Sequence, residues 1–262
     1  MGLPNALKRR IRGWQTHFPA LVDAKFTAKR WLDRVRQRPF DADFMVLRHL
    51  TVADDECFVD VGSNRGQSID AIRLYHPDRS ITAFEPNSLL VERLKRRFAD
   101  DRHLNLMTFG LSDTEMDAPL YVPYYRNWLF DGLSSFDRKS AESWLNSETI
   151  AGFDPALQRI ETLTCRLRRL DDFNLTPAFI KIDVQGFEMQ VLKGAQETLK
   201  RCGPILMVED SAELIPWLAD LGFASYEFDG TRLRHSKGPA NNLFFITPAM
   251  RTRLEHGGLA FA

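Results

Sequence analysis

The chain has 262 residues, a length that suits one large α/β domain, alone or with a modest extension. Hydrophobic residues make up 44% and charged residues 27% of it, and its formal net charge of zero excludes a global electrostatic attraction to nucleic acid. With no apolar run of about 18 residues and no signal-peptide-like N-terminus, we expect no transmembrane helix and no secretion.

Residues 1–50 predict a basic, largely helical extension. The first 40 residues contain ten lysines and arginines but only two acids, Asp23 and Asp33, and Pro19 divides them. Apolar residues after Pro19 recur at helical spacing. We expect a helix that packs on the domain with its cations in water. The alternative is a surface that attracts an anionic substrate or anionic lipids, which would bring the protein to a membrane periphery.

Residues 51–248 alternate between strand and helix patterns, which predicts an α/β fold with a mostly parallel, doubly wound sheet. The last two apolar segments predict an antiparallel hairpin that closes the sheet. The predicted strands are 56–62, 81–86, 105–113, 178–184, 204–210, 223–229 and 242–247, and the predicted helices are 67–75, 88–98, 187–201 and 212–221.

The segment 114–170 interrupts this alternation. It contains two further predicted strands, 118–123 and 162–168, around a stretch rich in aromatic residues. We interpret the segment as an insertion that caps a pocket. Residues 249–262 are assigned to a C-terminal tail.

The turn after the first strand has the pattern of a ligand site. Gly62 permits a sharp turn, and Gly66 permits close approach of a ligand or of the following helix. Asn64 and Gln67, in the same turn, are further candidate ligand contacts. The spacing is not the dinucleotide pattern G-x-G-x-x-G, and the turn has no P-loop lysine.

Glu85 ends the second strand. A carboxylate at this position can accept hydrogen bonds from both ribose hydroxyls of a nucleoside. Together with the glycine turn, it predicts a nucleoside site that includes the adjacent Pro86 and Asn87. Asn87 or Ser88 could also cap the following helix.

S-adenosylmethionine (SAM) is the nucleoside that suits these residues, because it carries a cationic sulfonium and no phosphate. Asp60, Glu85 and Asp183 supply acids near such a cation. Ser112 and Asp113 could reach the adenine amine, or they could only form a turn.

Several motifs together resemble the FkbM family of SAM-dependent methyltransferases, over about residues 56–247. The block 179–195 is the most specific of them. The matching segments are FVDVGSNRGQS, AFEPN, LSD at 111–113, LRRLDDF, FIKIDVQGFEMQVLKGA and PILMVED. The resemblance implies a class I, Rossmann-like methyltransferase fold and O-methylation of saccharide, polyketide or other secondary-metabolite hydroxyls. Gln185 is a minor departure, because glutamate often occupies this position in the family and glutamine also occurs there.

Methyl transfer to a hydroxyl needs a group that accepts its proton. Asp183 is our first candidate for this base and Glu209 the second, because both end neighbouring predicted strands. His235, near the closing hairpin, is a third candidate, although it could simply lie on the surface.

Adjacent carboxylates repel each other unless one is protonated or a cation lies between them. Magnesium held by Asp183 and Glu209 is therefore an alternative to a metal-free site, and Lys181 could pair with a nearby carboxylate.

Two other functions stay open at this point. One is a nicotinamide-dependent oxidoreductase, and the other is a non-catalytic binding protein of methyltransferase-like fold. The expected partner is a small-molecule or saccharide acceptor, and the oligomeric state is left open.

The three cysteines, Cys57, Cys165 and Cys202, form no metal-binding spacing, so we expect free thiols and a reducing cytoplasm.

Overall fold

The computed structural model describes residues 5–209, 212–236 and 241–262. Within these residues, thirteen strands form two sheets. The strands are β1 (Cys57–Val61), β2 (Ile81–Phe84), β3 (Leu104–Met107), β4 (Gly110–Leu111), β5 (Met116–Tyr125), β6 (Trp128–Leu129), β7 (Gln158–Arg168), β8 (Pro177–Ile182), β9 (Ile205–Glu209), β10 (Ala224–Phe228), β11 (Arg232–His235), β12 (Asn242–Ile246) and β13 (Ala260–Phe261).

The large sheet has the order β13-β11-β10-β12-β9-β8-β1-β2-β3. Strands β9, β8, β1, β2 and β3 are parallel, whereas β12 is antiparallel to both β9 and β10. The predicted parallel sheet and its antiparallel closing pair are therefore confirmed. The chain runs outward from β1 in one direction through β2 and β3 and returns on the other side as β8. The topological switch point thus lies between β1 and β8.

Helices cover both faces of this sheet, and further helices belong to the N-terminal segment and the cap. In chain order, the helices of the described residues are α1 (Asn5–Gln15), α2 (Pro19–Val35), α3 (Gln67–Tyr75), α4 (Ser88–Arg97), α5 (Arg138–Ser143), α6 (Glu188–Lys193), α7 (Gln196–Cys202), α8 (Ile215–Asp220) and α9 (Pro248–His256). Side chains of the central strands alternate between the two cores. Phe58 packs with α3 and α9, and its neighbour Val59 packs with α6, α7 and α8.

Two of the predicted elements are each split into two shorter ones, and in both cases a glycine at the break packs against another segment of the chain. The predicted strand 105–113 leaves the large sheet after β3 and joins the second sheet as β4. A Cβ on Gly110 would lie 2.6 Å from Leu167 Cδ2. The predicted helix 187–201 breaks between α6 and α7, where a Cβ on Gly194 would lie 1.9 Å from the Ser112 carbonyl oxygen.

The predicted insertion supplies β5, β6 and β7, which form the second sheet together with β4, in the order β4-β7-β5-β6. Its long antiparallel ribbon pairs β5 with β7 from Met116–Leu167 to Tyr125–Gln158. The C-terminal residues pack on the large sheet: Leu254 and Leu259 are buried in its core, and β13 pairs in parallel with β11.

The N-terminal segment contains helices α1 and α2, and the expectation that α2 packs its apolar side chains on the domain is wrong. Its residues Ala28, Trp31, Leu32 and Val35 are exposed to solvent and are not packed on the domain. Within the described residues, none of the helices combines the length and apolar character that a membrane span requires.

Candidate functional site

A cleft of about 500 Å³, including the space open to solvent, lies at the carboxyl ends of β1, β2 and β8. This is the edge of a doubly wound sheet, beside the switch point, at which ligands bind. The large sheet and the predicted cap both contribute to its walls. The lining residues are Gly62, Asn64, Glu85, Pro86, Leu120, Asp131, Gly132, Ser134, Phe136, Asp183, Val184 and Gln185.

Two glycines shape the turn between β1 and α3. Gly62 has a φ of +78°, and a Cβ there would lie 1.9 Å from the carbonyl oxygen of Asp183. The ends of β1 and β8 therefore touch at this glycine. Gly66 also has a φ of +78°, immediately before α3, and packs against the ring of Phe98. The predicted sharp turn and close approach are both present.

Glu85 is buried at the end of β2 and forms part of the cleft wall. Its two carboxylate oxygens accept hydrogen bonds from the backbone N–H groups of Asn64 (2.7 Å) and Asn87 (2.8 Å). Burial raises the pKa of Glu85 to about 7, although these two hydrogen bonds and the nearby Lys181 oppose the rise. Glu85 thus changes its charge near neutral pH.

Asp60 lies beneath the cleft and is not among the residues that line it. Its carboxylate is fully buried, accepts a hydrogen bond from the Ser68 hydroxyl at 2.6 Å and lies 3.7 Å from Lys181 Nζ. Lys181 also donates to the Gly62 carbonyl oxygen at 2.8 Å. Asp60 and Lys181 therefore support the glycine turn from below, which confirms the predicted pairing of Lys181 with a carboxylate.

Asp183 and Glu209 follow neighbouring parallel strands and lie side by side, as predicted. The Gln185 side-chain amide donates to Asp183 at 3.0 Å and to Glu209 at 2.9 Å, and Lys181 Nζ lies 3.4 Å from Asp183. Two donors thus offset the negative charge of the two acids. A glutamate at 185 could not donate in this way, so the glutamine at this position has a structural consequence.

Burial and the negative charge of Asp183 raise the pKa of Glu209 to about 8. For Asp183, burial acts in the same direction, but the Lys181 ammonium and the hydrogen bonds from Glu209, Gln185 and Lys181 outweigh it and lower the pKa. Near neutral pH, the pair therefore holds one proton, on Glu209, and Asp183 is ionised.

Asp183 and Glu209 have no third His, Cys, Asp or Glu ligand for a divalent metal among the described residues, and the neighbouring Asp210 lies outside those residues. In the described part of the chain, no group of three His, Cys, Asp or Glu side chains is arranged to hold a metal ion. The Gln185 amide and the Lys181 ammonium occupy positions beside the carboxylates where a cation would otherwise balance their charge.

The other predicted contacts divide into two groups. Asn64 and Pro86 line the cleft, and the Asn64 side-chain oxygen is buried without a hydrogen-bond partner among the described residues. Asn87 lies outside the lining and is the one of the two predicted caps, Asn87 and Ser88, that caps α4, through a hydrogen bond from the backbone N–H of Leu89. The following residues lie outside the lining: Gln67 at the start of α3, and Ser112 and Asp113, which hydrogen-bond to each other.

His235 is not brought to this site. It is exposed on β11, stacks on Tyr226 with ring centroids 4.5 Å apart, and is level with Met207 through the pairing of β10 and β12. Three strand spacings separate β11 from β9, which is about 14 Å. The hairpin pattern predicted the neighbouring strands correctly but placed this histidine wrongly.

The residues that the cap contributes to the cleft were not among the site residues predicted from the sequence. Leu120, Gly132, Ser134 and Phe136 reach the cleft from the second sheet and its loops. Asp131 also accepts a hydrogen bond from Arg65 Nε at 2.5 Å, which ties the cap to the glycine turn. No local motif marks these positions, because their placement depends on the long ribbon of β5 and β7.

The chain belongs to the FkbM methyltransferase family: the Methyltransferase FkbM domain model matches residues 60–225. The sheet described above is accordingly the class I, Rossmann-like methyltransferase fold. Among curated protein sequences, none matches this chain.

Solved structures with similar folds include the methyltransferase FkbM from Methylobacillus flagellatus KT. It has 18% identity and a TM-score of 0.48, and the match covers 75% of this chain and 44% of that one. This chain thus matches less than half the length of that protein. A SAM-dependent O-methyltransferase from Thermotoga maritima has 11% identity, a TM-score of 0.40 and coverages of 80% and 65%. A putative methyltransferase from Streptococcus mutans, in complex with SAH, has 8% identity, a TM-score of 0.40 and coverages of 80% and 98%. Since each TM-score lies below 0.5, family membership rests on the matched segment alone.

Proposed function

We propose that the chain is a SAM-dependent methyltransferase that methylates a hydroxyl group of a saccharide or of a sugar-containing or other secondary metabolite. The observation that carries this proposal is the Glu85 carboxylate, buried in the cleft wall beside the Gly62 turn. Family membership supports methyl transfer. The acceptor class rests on the resemblance of the motifs to the FkbM family.

The charges of the cleft favour a cationic ligand without phosphate. Three carboxylates line it, those of Glu85, Asp131 and Asp183, and no lysine or arginine is among its described lining residues. A nicotinamide dinucleotide fits less well, because the glycines of the turn lack the G-x-G-x-x-G spacing that brings a pyrophosphate to the helix N-terminus. SAM carries a positive sulfonium and no phosphate, and the carboxylates of Asp183 and ionised Glu85 attract it, whereas Asp131 is already paired with Arg65.

The residues present fit SAM in two further respects. Glu85 can accept hydrogen bonds from the ribose hydroxyls with its remaining lone pairs, and the buried Asn64 oxygen offers an acceptor that has no partner among the described residues. When bound, SAM supplies the methyl group and the thioether leaving group for an in-line displacement. The protein then has to align the acceptor and remove its proton.

Asp183 is the proposed proton acceptor. It lines the cleft, is ionised near neutral pH and is partly exposed, with 37% of its side-chain surface accessible. Gln185 and Lys181 hold Asp183 in position, and the protonated Glu209 carboxyl group donates a hydrogen bond to it. An acceptor hydroxyl at the open side of Asp183 would pass its proton to this carboxylate as the new C–O bond forms.

The acceptor site is proposed to lie between Asp183 and the cap. Phe136 and Leu120 offer apolar surface for a sugar ring or another metabolite, and Ser134 offers a hydroxyl whose oxygen has no hydrogen-bond partner among the described residues. We propose residues 51–248 as the SAM-binding domain, with residues 114–170 as its cap. The described cysteines are free, which supports a reducing compartment such as the cytoplasm.

Incubation with SAM labelled in its methyl group tests this proposal. The acceptors would be a panel of saccharides and hydroxylated secondary metabolites, and the readout would be the mass of a labelled methyl ether. Parallel titrations with SAM and NAD separate methyl transfer from the oxidoreductase alternative. Binding of NAD but not of SAM would contradict the proposal. Binding of SAM with no methylated product from any acceptor would favour the non-catalytic alternative.

A further inference from the structure

The N-terminal helices turn apolar side chains toward solvent. Among the described residues, ten large hydrophobic side chains are markedly exposed, and eight of them lie between residues 7 and 40. We use the term N-terminal face for six of these: Leu7, Trp14, Phe18, Trp31, Leu32 and Val35. Exposed apolar clusters of this kind mark surfaces that bind a partner.

The orientation of α2 is the reverse of that of a helix packed on its own domain. Ala24, Ala28, Trp31, Leu32 and Val35 recur at intervals of three and four residues, so they form one stripe, and all five are exposed. A surface helix normally buries such a stripe.

The opposite side of α2 is polar and holds the helix on the domain. Asp23 accepts a hydrogen bond from Arg65 Nη1 at 2.6 Å and lies 3.9 Å from Arg93 Nη1. The Arg65 guanidinium also lies over the ring of Phe26, 4.7 Å from its centroid. With this side of α2 against the domain, its apolar stripe faces outward.

Helix α1 repeats this arrangement. Its inner side meets the cap, where the Arg12 guanidinium lies over the Trp144 ring and Gly13 packs against the Ala151 carbonyl oxygen. Leu7 and Trp14 lie two turns apart on the outer side, 42% and 57% exposed, and the Trp14 and Phe18 rings are 5.0 Å apart.

Charge identifies the partner. The first 40 residues carry ten lysines and arginines against two aspartates, whereas the rest of the chain carries 25 against 33 acids. The neutral chain therefore combines a segment of charge +8 with a domain of charge −8. On α2, Lys25, Lys29 and Arg36 follow one border of the apolar stripe and are exposed.

We propose that the N-terminal face docks on an anionic lipid bilayer, where its apolar side chains enter the boundary between headgroups and acyl chains and the bordering cations contact lipid phosphates. Outward tryptophans beside lysines and arginines are the features of helices that lie in a membrane interface. A second copy of the chain suits this face less well, because two such faces would bring two segments of charge +8 together.

Co-sedimentation of the full chain with lipid vesicles tests the proposal. Vesicles of phosphatidylcholine with phosphatidylglycerol should bind the protein, vesicles of phosphatidylcholine alone should bind much less, and high salt should weaken the binding. The double variant Trp31→Ser, Val35→Ser should reduce partitioning at least about tenfold, because it removes two inserted side chains. The matched control is Leu89→Ser, Met116→Ser, which removes two exposed apolar side chains elsewhere and should bind like the unmodified chain.

Two charge-reversal variants, one beside the N-terminal face and one elsewhere, give a second measurement. Lys25→Glu, Arg36→Glu should weaken binding to anionic vesicles, and Lys193→Glu, Lys200→Glu, with the same change of net charge on exposed positions elsewhere, should not. SAM titration should give the same affinity in all four variants, so failure of the docking proposal is distinguishable from failure of the proposed function.

Three results would overturn the proposal. The first is absence of vesicle binding by the unmodified chain, and the second is equal vesicle binding by the Trp31→Ser, Val35→Ser variant. The third is self-association in sedimentation velocity that the same variant abolishes while lipid has no effect, which would assign the face to a second copy.

Discussion

Asp183 and Glu209 share one hydrogen-bond donor, the side-chain amide of Gln185, at 3.0 and 2.9 Å. The two acids follow adjacent parallel strands, so the sheet itself brings them together. Their proximity leaves the pair with one proton near neutral pH. This division into an ionised and a protonated carboxyl group is what the proposed mechanism uses.

Asp183→Asn should reduce kcat by at least about a hundredfold, because the amide cannot accept the hydroxyl proton. The Kd for SAM should change much less, since the ribose contacts are proposed for Glu85. Single-turnover kinetics and calorimetric titration measure the two effects separately. Equal turnover in the variant and the unmodified chain would remove Asp183 as the base.

The proton on Glu209 predicts that kcat depends on pH. Burial and the charge of Asp183 raise the pKa of Glu209 to about 8, so Glu209 loses its proton as the pH rises through that value. Asp183 then faces a second negative charge and becomes more basic. We expect kcat to increase above about pH 8 in the unmodified chain and to be flat there in Glu209→Gln. A pH–rate profile checks this, and an unchanged rise in Glu209→Gln would assign it to another group.

Gly62→Ala tests the close approach of β1 and β8. The new Cβ would meet a backbone carbonyl oxygen at 1.9 Å in a left-handed conformation, so we expect a loss of at least about 3 kcal/mol in the free energy of unfolding. Gly152→Ala is the matched control. Its φ of +69° is similar, but nothing lies within 4 Å, so only the conformational cost of about 1 kcal/mol should appear in denaturant unfolding. Equal losses in the two variants would contradict the predicted contact.

Glu85 predicts pH-dependent binding. Burial raises its pKa to about 7 in the free protein, and donors from ribose hydroxyls would favour the ionised form. SAM affinity should therefore fall as the pH is lowered through about 7, and binding there should release protons. Titrations in buffers of different ionisation enthalpy measure this release. Glu85→Gln should remove the pH dependence, whereas Glu209→Gln should retain it. A pH-independent affinity in the unmodified chain would exclude Glu85 as a titrating contact.

The elements around the cleft could be predicted because their signals are local. The helix 67–75 was predicted with the bounds of α3, and Asn87 caps α4 as its position before an apolar helix indicated. Strand ends carry acids at one edge of a parallel sheet, so Glu85, Asp183 and Glu209 could be grouped without coordinates.

The wrong or missing predictions concern residues whose positions depend on contacts between distant parts of the chain. His235 lies away from the site because β11 is inserted at the far side of β10, which no local pattern reports. The cap residues reach the cleft through the pairing of β5 with β7. The apolar stripe of α2 has correct helical spacing, but spacing does not say which side meets the domain. In the structure, the side that meets the domain is the one that carries Asp23 and Phe26, which both contact Arg65.

The proposed function requires the cleft beside Glu85 to bind SAM through its ribose. Calorimetric titration of SAM into the unmodified chain and into Glu85→Ala measures this contact. We expect saturable binding that weakens by roughly a hundredfold in the variant, since two hydrogen bonds to a buried carboxylate contribute about 3 kcal/mol, while its thermal unfolding stays cooperative. No binding by the unmodified chain, or equal affinity in both proteins, would exclude ribose binding by Glu85.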